Sequence, residues 1–268
     1  MNLLKKCLKN FIQWPLCIIG IPVYLALAIL SKFQRNKLKK PKLVWGPVPL
    51  ISNKYWSRSL EKADYFSRSF VETVYAINRK SDFDIIFYDF IPESKSALLE
   101  EVLIILRPYL VLPTILWKFD IVHIPFSGGV MYRTILLRVE YFLYYLSGIK
   151  VIVIPYGRDF YQYSRIADNE LKHALLLSYP ELALQESLVR SNIRFWSKYA
   201  DCIVGSFHLD GLGRWDVLPY VPFMIELDNW RPKESEHSRD GIHDEVRIIH
   251  TPNHKGFKGT EFILNTIE

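Results

Sequence analysis

Short runs of branched apolar residues recur along this chain with helix-length segments between them, and that alternation restricts the available folds more than any other feature. Lys150-Val-Ile-Val-Ile154 is the clearest run. Others occupy residues 43–45, 70–76, 84–89, 119–124, 201–205 and 217–221, while helical patterning fills 57–66, 96–117, 131–146 and 182–199. The second of these helices is expected to break near Pro108 and Pro113. Strands that are apolar at nearly every position need cover on both faces, which a parallel sheet flanked by helices supplies. The sequence therefore predicts an α/β fold, a Rossmann-like doubly wound parallel sheet of about six or seven strands. Ligands in such sheets gather at the carboxyl ends of strands, so the loops at 46–53, 125–131, 155–164 and 206–214 carry the most functional weight.

Charge is unevenly placed. The chain has a net charge of +6, but residues 1–42 hold eight Lys, one Arg and no acid, so they contribute +9 and the remainder carries −3. A slightly acidic body on a basic leader argues against a nucleic-acid groove and for a membrane-facing stem. Residues 11–30 contain no charge and are just long enough to cross ~30 Å of hydrocarbon. Lys5, Lys6 and Lys9 precede this run and six cations follow it, which places the body on the cytoplasmic face of the cytoplasmic membrane. Residues 1–42 are thus read as a membrane anchor. Pro15, Gly20 and Pro22 leave a re-entrant or interfacial helix open as an alternative to a span. Cys7, Cys17 and Cys202 lack metal-ligand spacing and fit a reduced compartment.

Residues 43–230 read as one domain, and the polar, charged stretch 231–245 reads as a linker. Residues 246–268 then form strand, loop and helix, the first βα unit of an incomplete second domain, since one such unit cannot bury its own apolar face. In that loop His254, Lys255 and Lys258 place cations just ahead of a helix opening at Gly259 or Thr260. Unpaired amides beside cations make an anion site, and a diphosphate suits it. A solvated loop with an ordinary helix cap is the alternative.

Three stretches together resemble bacterial glycosyltransferases of the GT-B fold, of the retaining family 4 type that builds cell-surface polysaccharides. They are Ile154-Pro-Tyr-Gly-Arg-Asp159, Arg194-Phe-Trp-Ser-Lys-Tyr-Ala-Asp-Cys-Ile-Val-Gly-Ser206 and Ile249-His-Thr-Pro-Asn-His-Lys-Gly-Phe-Lys-Gly-Thr260. The resemblance makes the first a counterpart of a Gly-Ser-Asp loop with Arg158 in place of the serine. It makes the third the opening of a nucleotide-sugar domain whose Lys before Gly contacts the donor diphosphate. The implied substrates are a nucleotide-diphosphate sugar and a lipid-linked or polysaccharide acceptor. Neither a further cofactor nor a metal is implied, because preplaced cations stabilise the departing diphosphate. Most donor contacts of the family lie in the second domain, so little or no transfer is expected from these residues alone. The donor-binding domain would be supplied in cis or in trans. A non-catalytic acceptor-binding subunit of a two-chain transferase is the rival reading.

Within this frame His123, at the end of Asp120-Ile-Val-His123, sits where the family often has a His-x-His pair, although its second position here is Pro125. His123 and Asp159 are the candidates nearest the chemistry; each could equally be structural, the histidine as a satisfied core residue and the aspartate as a helix cap. Ser127, Gly128 and Gly129 either cradle an acceptor phosphate on backbone amides or form a tight turn. Arg158 follows the clearest strand. Gly46 and the aromatic residues Trp45 and Trp56 border the loop after the first strand, as acceptor contacts or as core. His208 and Asp210 are further candidates for the cleft. The sequence lacks Gly-x-Gly-x-x-Gly, a Walker loop, Asp-x-Asp and Gly-x-Ser-x-Gly, which disfavours dehydrogenases, ATPases, metal-dependent GT-A transferases and esterases.

Overall fold

A computed structural model describes residues 3–35, 39–205, 212–219, 224–229, 249–251 and 258–267. The chain divides into two compact units, Met1–Phe160 with Val189–Met224, and Tyr161–Leu188 with Ile225–Glu268. Of the expected linker and the strand after it, only Ile249 and His250 lie among the described residues.

The first unit contains a six-stranded, all-parallel sheet, consistent with a Rossmann-like architecture. Its strands are β1 (Leu43–Trp45), β2 (Ser67–Val71), β3 (Ile85–Ile86), β4 (Ile121–Ile124), β5 (Lys150–Val153) and β6 (Cys202–Ile203). The helices are α1 (Leu3–Gln34), α2 (Ile51–Lys62), α3 (Ala97–Lys118), α4 (Val139–Ser147), α5 (Asn169–Ser178), α6 (Pro180–Leu184), α7 (Glu186–Tyr199) and α8 (Thr260–Ile267). Side chains alternate between the two faces of each strand. On one face Val44, Phe70, Val122, Ile124, Val151 and Val153 join Val111, Leu112, Ile115 and Leu116 of α3 and Leu143 of α4 in the main core. Trp196 of α7 completes it, fully buried. On the opposite face lie Trp45 and His123, with Trp56 of α2 against Trp45. On this second face α2 covers β1 and β2.

Several elements differ from the sequence expectation for local reasons. β2 begins at Ser67 rather than Phe70, because the buried Ser67 accepts from Trp45 Nε1 at 3.0 Å and Ser69 donates to Asp84 Oδ2 at 2.9 Å. Polar residues thus form a strand where an apolar run was sought. α2 starts six residues early, at Ile51, behind Leu50, which makes no side-chain cap. α4 starts only at Val139, since Thr134 Oγ1 donates to Met131 O and accepts from Leu136 N, a local arrangement that competes with helix. The run 84–89 is a two-residue strand followed by a 3-10 turn at Phe87–Asp89, and of the run 217–221 the described residues 217–219 contribute a bridge, Val204 to Leu218.

α3 runs unbroken through Pro108 and Pro113. Pro113 has no N–H, so it leaves the carbonyl of Tyr109 without its helical donor, and Tyr24 OH of α1 supplies one at 2.8 Å. α1 packs along both α3 and α4, with Cys17, Tyr24 and Ala28 in the main core. The leader is thus part of the first unit. Just beyond α1, Arg35 donates to Ser147 O at 2.6 Å and to Leu116 O at 2.7 Å, and pairs with Asp120 at 3.2 Å. One guanidinium serves the last carbonyls of two helices, where a cation is favoured.

The described part of the second unit has its own small cluster of Tyr163, Leu175 and Leu182. Asp168 caps α5, accepting from Glu170 N at 2.9 Å and Leu171 N at 3.1 Å.

Replacing Arg35 by Met is expected to cost ~2 kcal/mol or more, since buried carbonyls lose charge-assisted donors. Arg35→Lys should recover only a minor part, because an ammonium cannot fork between two helix ends. Chemical unfolding of the three proteins, with hydrogen exchange across α1, measures both effects.

Candidate functional site

The strand order β3-β2-β1-β4-β5-β6 reverses direction between β1 and β4. Successive connections diverge there, so no crossover covers the carboxyl ends of these two strands, and a crevice opens. The structure has a small, open pocket at this place, bordered by Trp45, Gly46, Trp56, His123, Pro125 and Tyr156.

The β1–β4 register sets Trp45 opposite His123. Their rings stack with centroids 3.5 Å apart and planes within 5°. His123 Nδ1 lies 3.3 Å from Val44 O; a carbonyl only accepts, so Nδ1 carries the proton and the lone pair belongs to Nε2. Burial pushes the histidine down to about 3, against the opposing bond to Val44, so the ring is neutral at physiological pH. Trp45 and Trp56 are buried, and their rings meet at 5.5 Å. Both tryptophans are wall rather than open stacking platforms.

Gly46 is required by its surroundings: a Cβ there would stand 2.0 Å from Phe70 O, a backbone atom that cannot swing aside. Its amide donates to His123 O at 3.1 Å and closes the first strand against the fourth.

Asp159 lies beneath the loops. Its Oδ2 accepts from Phe126 N at 2.8 Å, and its Oδ1 from Tyr156 N at 3.0 Å and Gly157 N at 3.1 Å. Burial raises its carboxyl to about 6 against the pull of those amides. The residue clamps the loop after β4 to the loop after β5. Arg158 beside it is exposed.

The Ser127-Gly128-Gly129 loop has the tight-turn form, with Gly128 at φ +114°. A phosphate cradle is disfavoured there by a carboxylate already at hand. Glu140 of α4 is fully buried, accepts from Tyr144 OH at 2.5 Å, and has the amides of Met131, Val130 and Gly129 close enough to favour its charged form. Burial outweighs them and lifts this carboxyl to about 7. A side chain on Gly129 would meet Glu140 Oε1 at 2.5 Å. Ser127 Oγ is buried and faces the hydroxyl of Tyr156.

The sequence reading missed Glu72, the first residue after β2 and buried. It accepts a short hydrogen bond from Tyr132 OH and pairs with Arg133 at 3.3 Å, while its Oε1 has no partner among the described residues. The signal was available, an acid directly after the apolar pair Phe70-Val71. Extending the strand to residue 76 placed Glu72 inside it.

In the second unit Lys258 is exposed and Gly259, at φ +71°, precedes α8. Thr260 Oγ1 is 2.8 Å from His250 Nε2. His254, Lys255, His208 and Asp210 lie outside the described residues. Among the described residues no group of three or more His, Cys, Asp and Glu is arranged to hold a metal ion. Comparison with protein-family models, with curated proteins and with solved structures finds no match to this chain.

Two outcomes follow from this geometry. Gly46→Ala should destabilise the first unit by at least ~1 to ~3 kcal/mol, the cost of overpacking, read from thermal unfolding. The histidine's folded-state value is depressed from 6.5 to about 3, so its contribution is complete above pH 6.5 and is lost as pH falls toward 3, with a slope on the order of 1.4 kcal/mol per unit. Glu140 and Asp159 act in the opposite sense, so the difference between the parent and His123→Gln isolates the histidine in a pH series of unfolding curves.

Proposed function

We propose that this chain is the acceptor-binding side of a membrane-attached GT-B glycosyltransferase, which moves a sugar from a nucleotide diphosphate to a lipid-linked or polysaccharide acceptor. One observation carries the reading: the pocket lies at the carboxyl ends of β1 and β4, where the strand order reverses. The three stretches resembling family 4 transferases supply the chemistry, since two of them border that sheet edge or its return strand.

In this reading the pocket receives the hydroxyl-bearing edge of one acceptor sugar. His123 is too weak a base, at about 3, to draw a proton from a hydroxyl at neutral pH. Its neutral Nε2 instead accepts a hydrogen bond from a sugar hydroxyl and fixes its direction. Tyr156, about a third exposed, offers a ring face to the sugar. Glu72, with an unpartnered carboxylate oxygen, is a second acceptor at the same sheet edge. Lys258 contacts the donor diphosphate, whose negative charge grows as its bond to the sugar breaks.

The test pairs two measurements on the purified chain. Binding of lipid acceptor from membrane extract should weaken about tenfold or more in His123→Ala, the loss of one directed hydrogen bond together with a partner left unpaired. UDP and GDP binding should weaken by about tenfold in Lys258→Ala. Acceptor lipid bound in a His123-sensitive way, with no nucleotide diphosphate bound, would favour the non-catalytic subunit. Binding of neither ligand would reject the sugar reading.

A further inference from the structure

The orientation of α1 is inverted relative to a helix on a water-soluble domain. Its polar side chains between residues 11 and 31 are Gln13, Cys17, Tyr24 and Ser31, and all four are buried. Each has a partner. Gln13 Oε1 accepts from Ile135 N at 2.8 Å and from Tyr109 OH at 3.4 Å, and Cys17 Sγ lies 3.5 Å from that same hydroxyl. Tyr24 OH donates to Tyr109 O, and Ser31 Oγ to Ala28 O at 2.9 Å. The face turned away from the body carries Phe11, Trp14, Ile18, Leu25, Ile29 and Phe33 in a stripe at helical spacing, from 37% exposed for Leu25 to 83% for Phe33. An uninterrupted apolar stripe of this length on a surface marks something that covers it.

Docking also restricts the geometry. Contacts to the body run from Gln13 to Arg35, about 33 Å of helix at ~1.5 Å per residue. That is the whole thickness of a bilayer's hydrocarbon core, ~30 Å. If α1 crossed the membrane, α3 alongside it would enter too, bringing Glu100 and Arg107, paired at 2.5 Å, and with them the sheet that α3 covers. Charged groups and open loops are not tolerated there. A helix docked on one side and apolar on the other satisfies both constraints by lying flat, with the outer stripe in the acyl boundary and the body in water. The charge supports the same partner: eight Lys and one Arg with no acid in residues 1–42 complement an anionic leaflet.

We propose that α1 is an in-plane, monotopic membrane helix that seats the first unit on an anionic phospholipid leaflet without crossing it. The proposal rests on the membrane attachment in the preceding reading and is independent of the sugar chemistry.

The experiment uses the full chain with vesicles of phosphatidylcholine alone or of phosphatidylcholine and phosphatidylglycerol at roughly 7:3, the anionic component supplying the surface charge. Flotation should show binding to the anionic vesicles severalfold stronger than to the neutral ones. Ile18→Asp and Ile29→Asp, which alter only exposed positions, should each cut it by about tenfold or more while leaving circular dichroism unchanged. Environment-sensitive labels on cysteines placed singly at positions 14, 18, 25 and 29, with the native cysteines replaced, should all report one shallow depth when quenched by lipids carrying quenchers at known depths. No vesicle binding would overturn the attachment itself. Binding with label depths that pass through the bilayer centre would overturn the in-plane geometry alone. Binding indifferent to both aspartates, or a lipid-free dimer dissolved by them without any vesicle binding, would assign the stripe to something other than lipid.

Discussion

The parallel ladder between β1 and β4 places almost everything else in the first unit. Leu43 faces Ile121 and Trp45 faces His123, so the two-residue period sends Val44 and Val122 into the apolar core while the tryptophan and histidine meet on the other face. A slip of one residue would drive the imidazole among Leu112 and Ile115 and turn Val122 toward the pocket. The same ladder joins the two halves of the sheet at the point where strand order reverses. Core and crevice are therefore consequences of one register.

Around that crevice the loops hold themselves with their own carboxylates. Asp159 takes three backbone amides, Glu140 lies beside the Gly129 turn, and Glu72 takes the hydroxyl of Tyr132. Buried acids of this kind are costly unless partnered, and partnering fixes the loops that carry them. The walls of the pocket are consequently set in advance, which suits a site that orients a ligand rather than one that forms around it. His123 fits that description, being neutral, stacked and held at Nδ1.

Much of the fold could be read from residue order because apolar periodicity is a local property. The runs 43–45, 119–124, 150–154 and 201–205 all contain strands, and α3 and α7 cover most of their expected spans. Where polar residues do the work of apolar ones the reading failed. Ser67 and Ser69 enter β2 because Trp45 and Asp84 satisfy them, and nothing near residue 67 announces either partner. The candidate site was legible to the same extent. His123 and Gly46 do border one pocket, as strand-end positions should, and Trp56 of α2 joins them, whereas Glu72 was hidden inside an overlong strand and Asp159 is tied up as a clamp.

The leader shows the division most plainly. Sequence by itself determined that residues 11–30 are apolar, bounded by cations and suited to a membrane, and that the body alternates between strand and helix; composition and spacing suffice for both, since each depends on residues adjacent along the chain. Only the tertiary structure decided which face of α1 is docked, that Tyr24 replaces the donor missing at Pro113, and which carboxylates are already engaged. Those outcomes depend on hydrogen bonds between groups 85 residues apart, as for Tyr24 and Tyr109, or 33 apart, as for Phe126 and Asp159. Partners at such separation are chosen by the packing of the sheet and its helices, and residue order alone does not encode them locally.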